Sequence, residues 1–260
     1  MIVVFYFIVT GNESKIEELC GKLPEYEELL FKHLISPPMV TDNDKMTLGL
    51  KDLAIVTSTS LNHMGEAIRS CDTFQQNPQL KNVTFLMYLH DDIPSEVRIL
   101  YAKLCPVAKI FSLNLKKYPE YVEDLSQYRF KSIYQALALQ KYKVVLGMDS
   151  SVRFVKDANL ETIELMEFQG GVVLWINTEN GWKIMKKLLH CALKKDCMAP
   201  FGATDKCNGS KITAHPNKFS GCHRFDQSAI NLILFEEAGY HSDIFQWQYP
   251  GLYVERSEKL

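Results

Sequence analysis

The run Val144-Val145-Leu146-Gly147-Met148 stops at Asp149-Ser150-Ser151 and resumes with Val152, Arg153 and Phe154. Five residues without polar alternation read as a strand buried on both faces. An acid just past such a strand either caps a polar turn or belongs to a site at the carboxyl end of the strand, where open α/β sheets take their ligands. Asp226 stands at the start of the apolar-periodic stretch DQSAINLIL. There it serves as a helix cap or as a general base toward a hydroxyl. Arg129 and Lys131 open the helical stretch YRFKSIYQALALQKY, a place where cations oppose the helix dipole. Their position calls for an anionic partner, either a diphosphate or a neighbouring carboxylate.

Other groups carry weaker signals. Thr57, Ser58 and Thr59 follow an apolar strand and read as a polar loop or as ligand contacts. His90, Asp91 and Asp92 end another strand, where a solvated loop is the preferred reading. Arg153 shares a strand face with Ser151 and is expected to balance Asp149. Trp175 and Trp182 flank a turn; Trp175 is expected in the core.

These residues need elements to hold them. Leu53–Val56, VTFLMYLHDD, AKIFSLNL and Val144–Met148 read as strands, separated by the helical stretches LNHMGEAIRSC, PSEVRILYAKLC and YRFKSIYQALALQKY. Strand and helix alternate from about residue 51 to 154, the pattern of a mostly parallel sheet with helices on both faces. Beyond it come a strand at GGVVLWIN, the amphipathic helix GWKIMKKLLHCALKK, an irregular cysteine-rich stretch, and a last helix closed by Gly239. The reading is α/β: one Rossmann-like domain over 46–260 with an irregular C-terminal half. Residues 1–45 form an apolar segment and a polar, proline-broken lead-in.

The chain has 260 residues, 47% hydrophobic and 23% charged, with 29 basic against 31 acidic side chains. That balance supports a sizeable core and offers no basic stripe for nucleic acid. The seven cysteines show no zinc-ligand spacing. Four of them fall between 191 and 222, and Asn12, Asn82 and Asn208 head glycosylation sequons. Together these tilt toward a secretory compartment. MIVVFYFIVT at the start reads as a buried strand, the remainder of a signal anchor, or an atypical signal; the anchor is preferred, although the run is shorter than the ~20 residues of a span.

The order YRFKSIYQAL, YKVVLGMDSSVRF, GGVVLWIN, HRFDQSAINL resembles the GT-A type of nucleotide-sugar glycosyltransferase, and is similar to an uncharacterised animal family classed as glycosyltransferase-like. The resemblance covers roughly residues 50–250. It implies a UDP- or GDP-linked sugar donor, a glycan, protein or lipid acceptor, and a lumenal, Golgi-type setting. It places Asp149 at an Asp-x-Asp motif whose carboxylates hold Mn2+ or Mg2+ on the diphosphate, Thr57 to Thr59 at the nucleoside, Arg129 and Lys131 at phosphate, and Asp226 at the acceptor. One departure stands out: Ser151 occupies the second acid position, and a hydroxyl is a poor ligand beside a carboxylate. That puts metal dependence in doubt and leaves His241 and His223 as substitute ligands. Two other readings remain: an inactive relative acting as a binding or scaffolding protein, or a nucleotidyl- or phosphotransferase using Asp91 and Asp92. No glycine-rich phosphate loop supports the latter.

Overall fold

The computed structural model describes residues 22–41, 44, 47–155, 171–204, 223–237 and 252–256. Five strands form its central sheet: β1 (Leu53–Thr59), β2 (Thr84–His90), β3 (Ala108–Leu113), β4 (Val144–Met148) and β6 (Val172–Ile176), in the order β3-β2-β1-β4-β6. The first four are mutually parallel and β6 runs antiparallel to β4. The short β5 (Val152–Phe154) leaves this sheet and pairs with β7 (Leu252–Val254).

Alternation along each strand divides the core in two. Ala54 and Val56 of β1, Leu86 and Tyr88 of β2 and Val145 of β4 face one helical layer. That layer holds α1 (Glu25–His33), α4 (Phe130–Leu139), α5 (Glu179–Leu193) and α7 (Asp226–Glu237), with the short α6 (Lys195–Met198) beside them. Ile55, Phe85, Met87, Leu146 and Met148 face the other layer, formed by α2 (Met64–Gln76) and α3 (Ser95–Leu104). The α/β architecture read from the sequence is the observed one: a mostly parallel sheet flanked by helices.

Two details differ from expectation. β1 runs on through Thr57, Ser58 and Thr59, which are buried strand residues rather than a loop. Threonine is β-branched and fits a strand, and pairing with β2 extends to Thr59. The stretch read as lead-in also contributes to the core, since Leu34 and Val40 are buried. Asn177 ties it down: its Oδ1 accepts from Met39 N (2.7 Å) and from Trp182 Nε1 (3.0 Å), and its Nδ2 donates to Leu139 O. Disulfides join Cys71 to Cys105 and Cys191 to Cys197. No helix of the described residues is long and apolar enough to cross a membrane. The N-terminal apolar run, His241 and Gly239 lie outside the described residues.

Candidate functional site

β4 aims the first carboxylate. Val145, Gly147 and Asp149 share a parity, so Asp149 emerges beyond the strand on the side of α4. Its backbone is fixed by Asp149 N donating to Gly171 O (2.8 Å) and Val152 N donating to Asp149 O (3.0 Å). α4 precedes β4 by a short connection, which brings its N-terminus to the carboxyl edge of the sheet. The helix seats closely there: a Cβ on Gly147 would stand 2.6 Å from the Gln135 carboxamide. Gln135 is held by Trp175 Nε1, which donates to its Oε1 at 2.8 Å. Lys131 lies one turn before Gln135 on the same helix face.

Lys131 Nζ is 2.7 Å from Asp149 Oδ1 and 3.2 Å from Asp226 Oδ2. Asp226 begins α7, whose Ile230 and Ile233 pack into the core and fix the helix. One buried ammonium therefore joins two acids that are far apart in sequence. Burial alone would lower the Lys131 pKa, but Asp149 and Asp226 outweigh it and hold the ammonium above the ordinary lysine range. Burial raises the Asp226 carboxyl above the ordinary range, against the pull of Lys131 and with the help of Asp149. Both directions follow from the count of charges: one cation facing two acids leaves one negative charge in a poorly solvated place, and Asp226 is the more buried acid.

Aromatic residues close the other side. Lys131 Nζ sits 4.7 Å from the Tyr128 ring centre, and the Tyr128 and Phe225 rings are 6.3 Å apart. Both are non-glycine residues in the left-handed region, with φ of 55° and 49°. Bulky residues there are strained, and such strain persists where surrounding packing enforces it. A cleft of about 20 Å³, lined by Lys131, Gln135, Leu188, Asp226 and Ile230, opens beside the ion cluster. It has room for about one water.

The remaining candidates separate clearly. Arg129 is fully buried and donates to Gln127 Oε1 (2.7 Å), Ala192 O (2.8 Å), Lys194 O (3.0 Å) and Lys195 O (2.6 Å). The phosphate expected for it is replaced by the carbonyl end of α5, another negative pole. Arg153 likewise does not balance Asp149. It bonds Glu255 Oε2 (3.0 Å) and the Ser150 and Val152 carbonyls. Ser151 is buried beside Asp149, its carbonyl accepting from Glu255 N (2.8 Å). Thr57, Ser58 and Thr59 end β1, the neighbour of β4, and Thr57 Oγ1 has no hydrogen-bond partner among the described residues. Asp91 and Asp92 are exposed, and Asp92 Oδ2 accepts from Leu61 N (3.0 Å), closing the turn after β1. His90 is buried against Phe130. His223 bridges to Thr204 through the backbone. Trp175 is core, as expected.

The sequence reading missed Tyr128, Gln135, Gly147 and Phe225. A glycine inside a buried strand was the one available signal, since it marks close approach of another group.

Among the described residues the arrangement is already held by a cation from the protein itself, and His241, the candidate substitute ligand, lies outside them. Asp149 Oδ1 already faces an ammonium, a serine fills the second acid position, and no group of three His, Cys, Asp or Glu that could hold a metal occurs among the described residues.

A family model described as a protein of unknown function (DUF1647) matches residues 14–136. That span contains Lys131 and ends before both aspartates. No match is found among curated proteins. Among solved structures, the chain is similar to the galactosyltransferase LgtC in complex with donor and acceptor sugar analogs, at 15% identity over 70% of this chain and 70% of that one, TM-score 0.37. It is similar to the glycosyltransferase GlyE of Streptococcus pneumoniae TIGR4 in its apo form, at 14% identity over 71% and 43%, TM-score 0.38. It is also similar to the PaToxG glycosyltransferase, at 14% identity over 84% and 82%, TM-score 0.40. The chain spans 57% of the length of an active-site mutant of LgtC and 43% of that of GlyE.

Proposed function

We propose that this chain is a glycosyltransferase that moves a hexosyl group from a nucleotide-diphosphate sugar to a hydroxyl acceptor in the secretory lumen. The observation that carries the reading is the joining of Asp149, past the central strand, and Asp226, at the head of α7, on one buried Lys131 ammonium. The site lies at the carboxyl edge of a mostly parallel sheet, where such sheets take nucleotides. The end of β1, with Ser58 on the same face of the sheet as Asp149, would face the nucleoside. Lys131 would take a share of the diphosphate charge. Asp226, whose burial raises its carboxyl pKa, is suited to accept the acceptor hydroxyl proton as the bond from sugar to diphosphate breaks and the diphosphate leaves. The two disulfides agree with an oxidising compartment.

Calorimetric titration with UDP and with GDP, each with and without Mn2+, tests the donor half. Binding of one nucleotide, weakened in Asp149→Asn as the Lys131 ammonium loses the carboxylate that positions it, is the expected result. Asp226→Asn should keep that binding and lose transfer. A second reading, a non-catalytic relative, is favoured by one observation: Asp149 and Asp226 are both engaged by the Lys131 ammonium, and Ser151 stands at the second acid position. If neither nucleotide binds, that reading replaces the first.

A further inference from the structure

We infer that the Lys131 ammonium stands in the place of a divalent cation, so that the Asp149 and Asp226 carboxylates do not take up Mn2+ or Mg2+ while Lys131 is present. This deepens the proposed donor site and rests on that reading only in what it says about nucleotide.

The geometry is that of a cation with two oxygen partners from different elements: Asp149 Oδ1 at 2.7 Å and Asp226 Oδ2 at 3.2 Å. The Tyr128 ring centre lies 4.7 Å from the ammonium, and Lys131 stands one turn before Gln135, which packs closely against Gly147. A lysine ammonium is a compact point charge. A divalent ion reaching for both carboxylates would have to approach that charge within a few ångströms, where like charges in a partly buried site repel strongly. The sequence agrees independently. Hard divalent ions need several oxygen ligands, and Ser151 offers a hydroxyl where a second carboxylate would be required.

Removing the ammonium reverses the situation. Lys131→Ala leaves two partly buried acids facing one another without a cation, an arrangement that draws in either a proton or a metal. Mn2+ alone, followed by its electron paramagnetic resonance signal and by thermal unfolding, is the probe.

The wild-type chain should leave the free Mn2+ signal unchanged and unfold at the same temperature with or without Mn2+. Lys131→Ala should bind Mn2+ at least about tenfold more tightly than wild type and gain thermal stability on adding it. If Lys131→Ala is recovered unfolded, refolding by Mn2+ supports the inference, and failure of Mn2+ to refold it overturns the inference. Lys131→Ala combined with Asp226→Asn removes the excess charge and should fold without responding to Mn2+; an equal response there overturns the inference. Tight Mn2+ binding by the wild type overturns it directly. Nucleotide separates the two claims. Binding of UDP or GDP that requires Mn2+ sinks the inference and leaves the donor site standing. Absence of nucleotide binding sinks the donor site, and the Mn2+ titrations still decide the inference.

Discussion

A Cβ on Gly147 would stand 2.6 Å from the Gln135 carboxamide, so the central strand and α4 touch at a point where no side chain fits between them. That contact sets the height of Lys131, one turn away, relative to Asp149, two residues on. Gly147→Ala must push Gln135 off the Trp175 indole, leaving a buried N–H without its acceptor. A loss of about 1–3 kcal/mol in urea unfolding is expected. An unchanged midpoint would show that the helix shifts freely and that the glycine does not set the site.

Arg129 makes the contrasting prediction. Its guanidinium bonds three carbonyls after or within the last turn of α5 and stacks 5.0 Å from the Tyr121 ring centre. Lysine cannot reproduce that fork. Arg129→Lys should cost about 3 kcal/mol of stability through orphaned acceptors and leave the nucleotide affinity of the folded protein unaltered. A stable Arg129→Lys protein with weakened nucleotide binding would return Arg129 to the site.

These two residues also mark how far the sequence could be read. Cations at the start of α4 are legible as a local conflict with the helix dipole, and the conflict is real for both. Which of them faces an acid was not legible, because the carbonyls around Arg129 come from residues 192–195 and the second acid around Lys131 from residue 226. The strand–helix rhythm over 51–154 was legible because each element carries its own period. The hydroxyl run Thr57 to Thr59 misled, since polarity was taken for a loop where two-sided burial and β-branching make a strand. Tyr128 and Phe225 gave no signal at all: their left-handed backbone is imposed by tertiary packing, and nothing in an isolated tyrosine or phenylalanine favours it.

The cysteine bridges are ranked by the chain they enclose. Cys71 and Cys105 are 34 residues apart and tie α2 to the end of α3, whereas Cys191 and Cys197 are 6 apart. A longer loop loses more freedom in the unfolded chain when it is closed. Cys71→Ser with Cys105→Ser should therefore lower stability by about 3–4 kcal/mol, and Cys191→Ser with Cys197→Ser by about 2. Urea unfolding of both double variants, beside peptide mapping without reduction, checks this; equal losses, or unbridged peptides, would contradict it.

His90 should make the fold sensitive to mild acid. It ends β2 with its ring 4.8 Å edge-on from Phe130, and neither ring nitrogen has a hydrogen-bond partner among the described residues. Burial pushes its pKa down to about 4, against a weaker upward pull from Asp92 and Asp91. In the unfolded chain an imidazole takes up its proton near 6.5. Between those two values the unfolded state binds more protons, so stability falls as the pH falls through that window and is fully present above it. The loss reaches about 2 kcal/mol by pH 5. His90→Leu keeps the apolar contact with Phe130 and removes the titrating group. Relative to wild type, its unfolding free energy should rise by about that amount between pH 7.5 and pH 5. Parallel pH profiles for the two proteins would mean that the folded state lets His90 take up its proton as easily as the unfolded chain does.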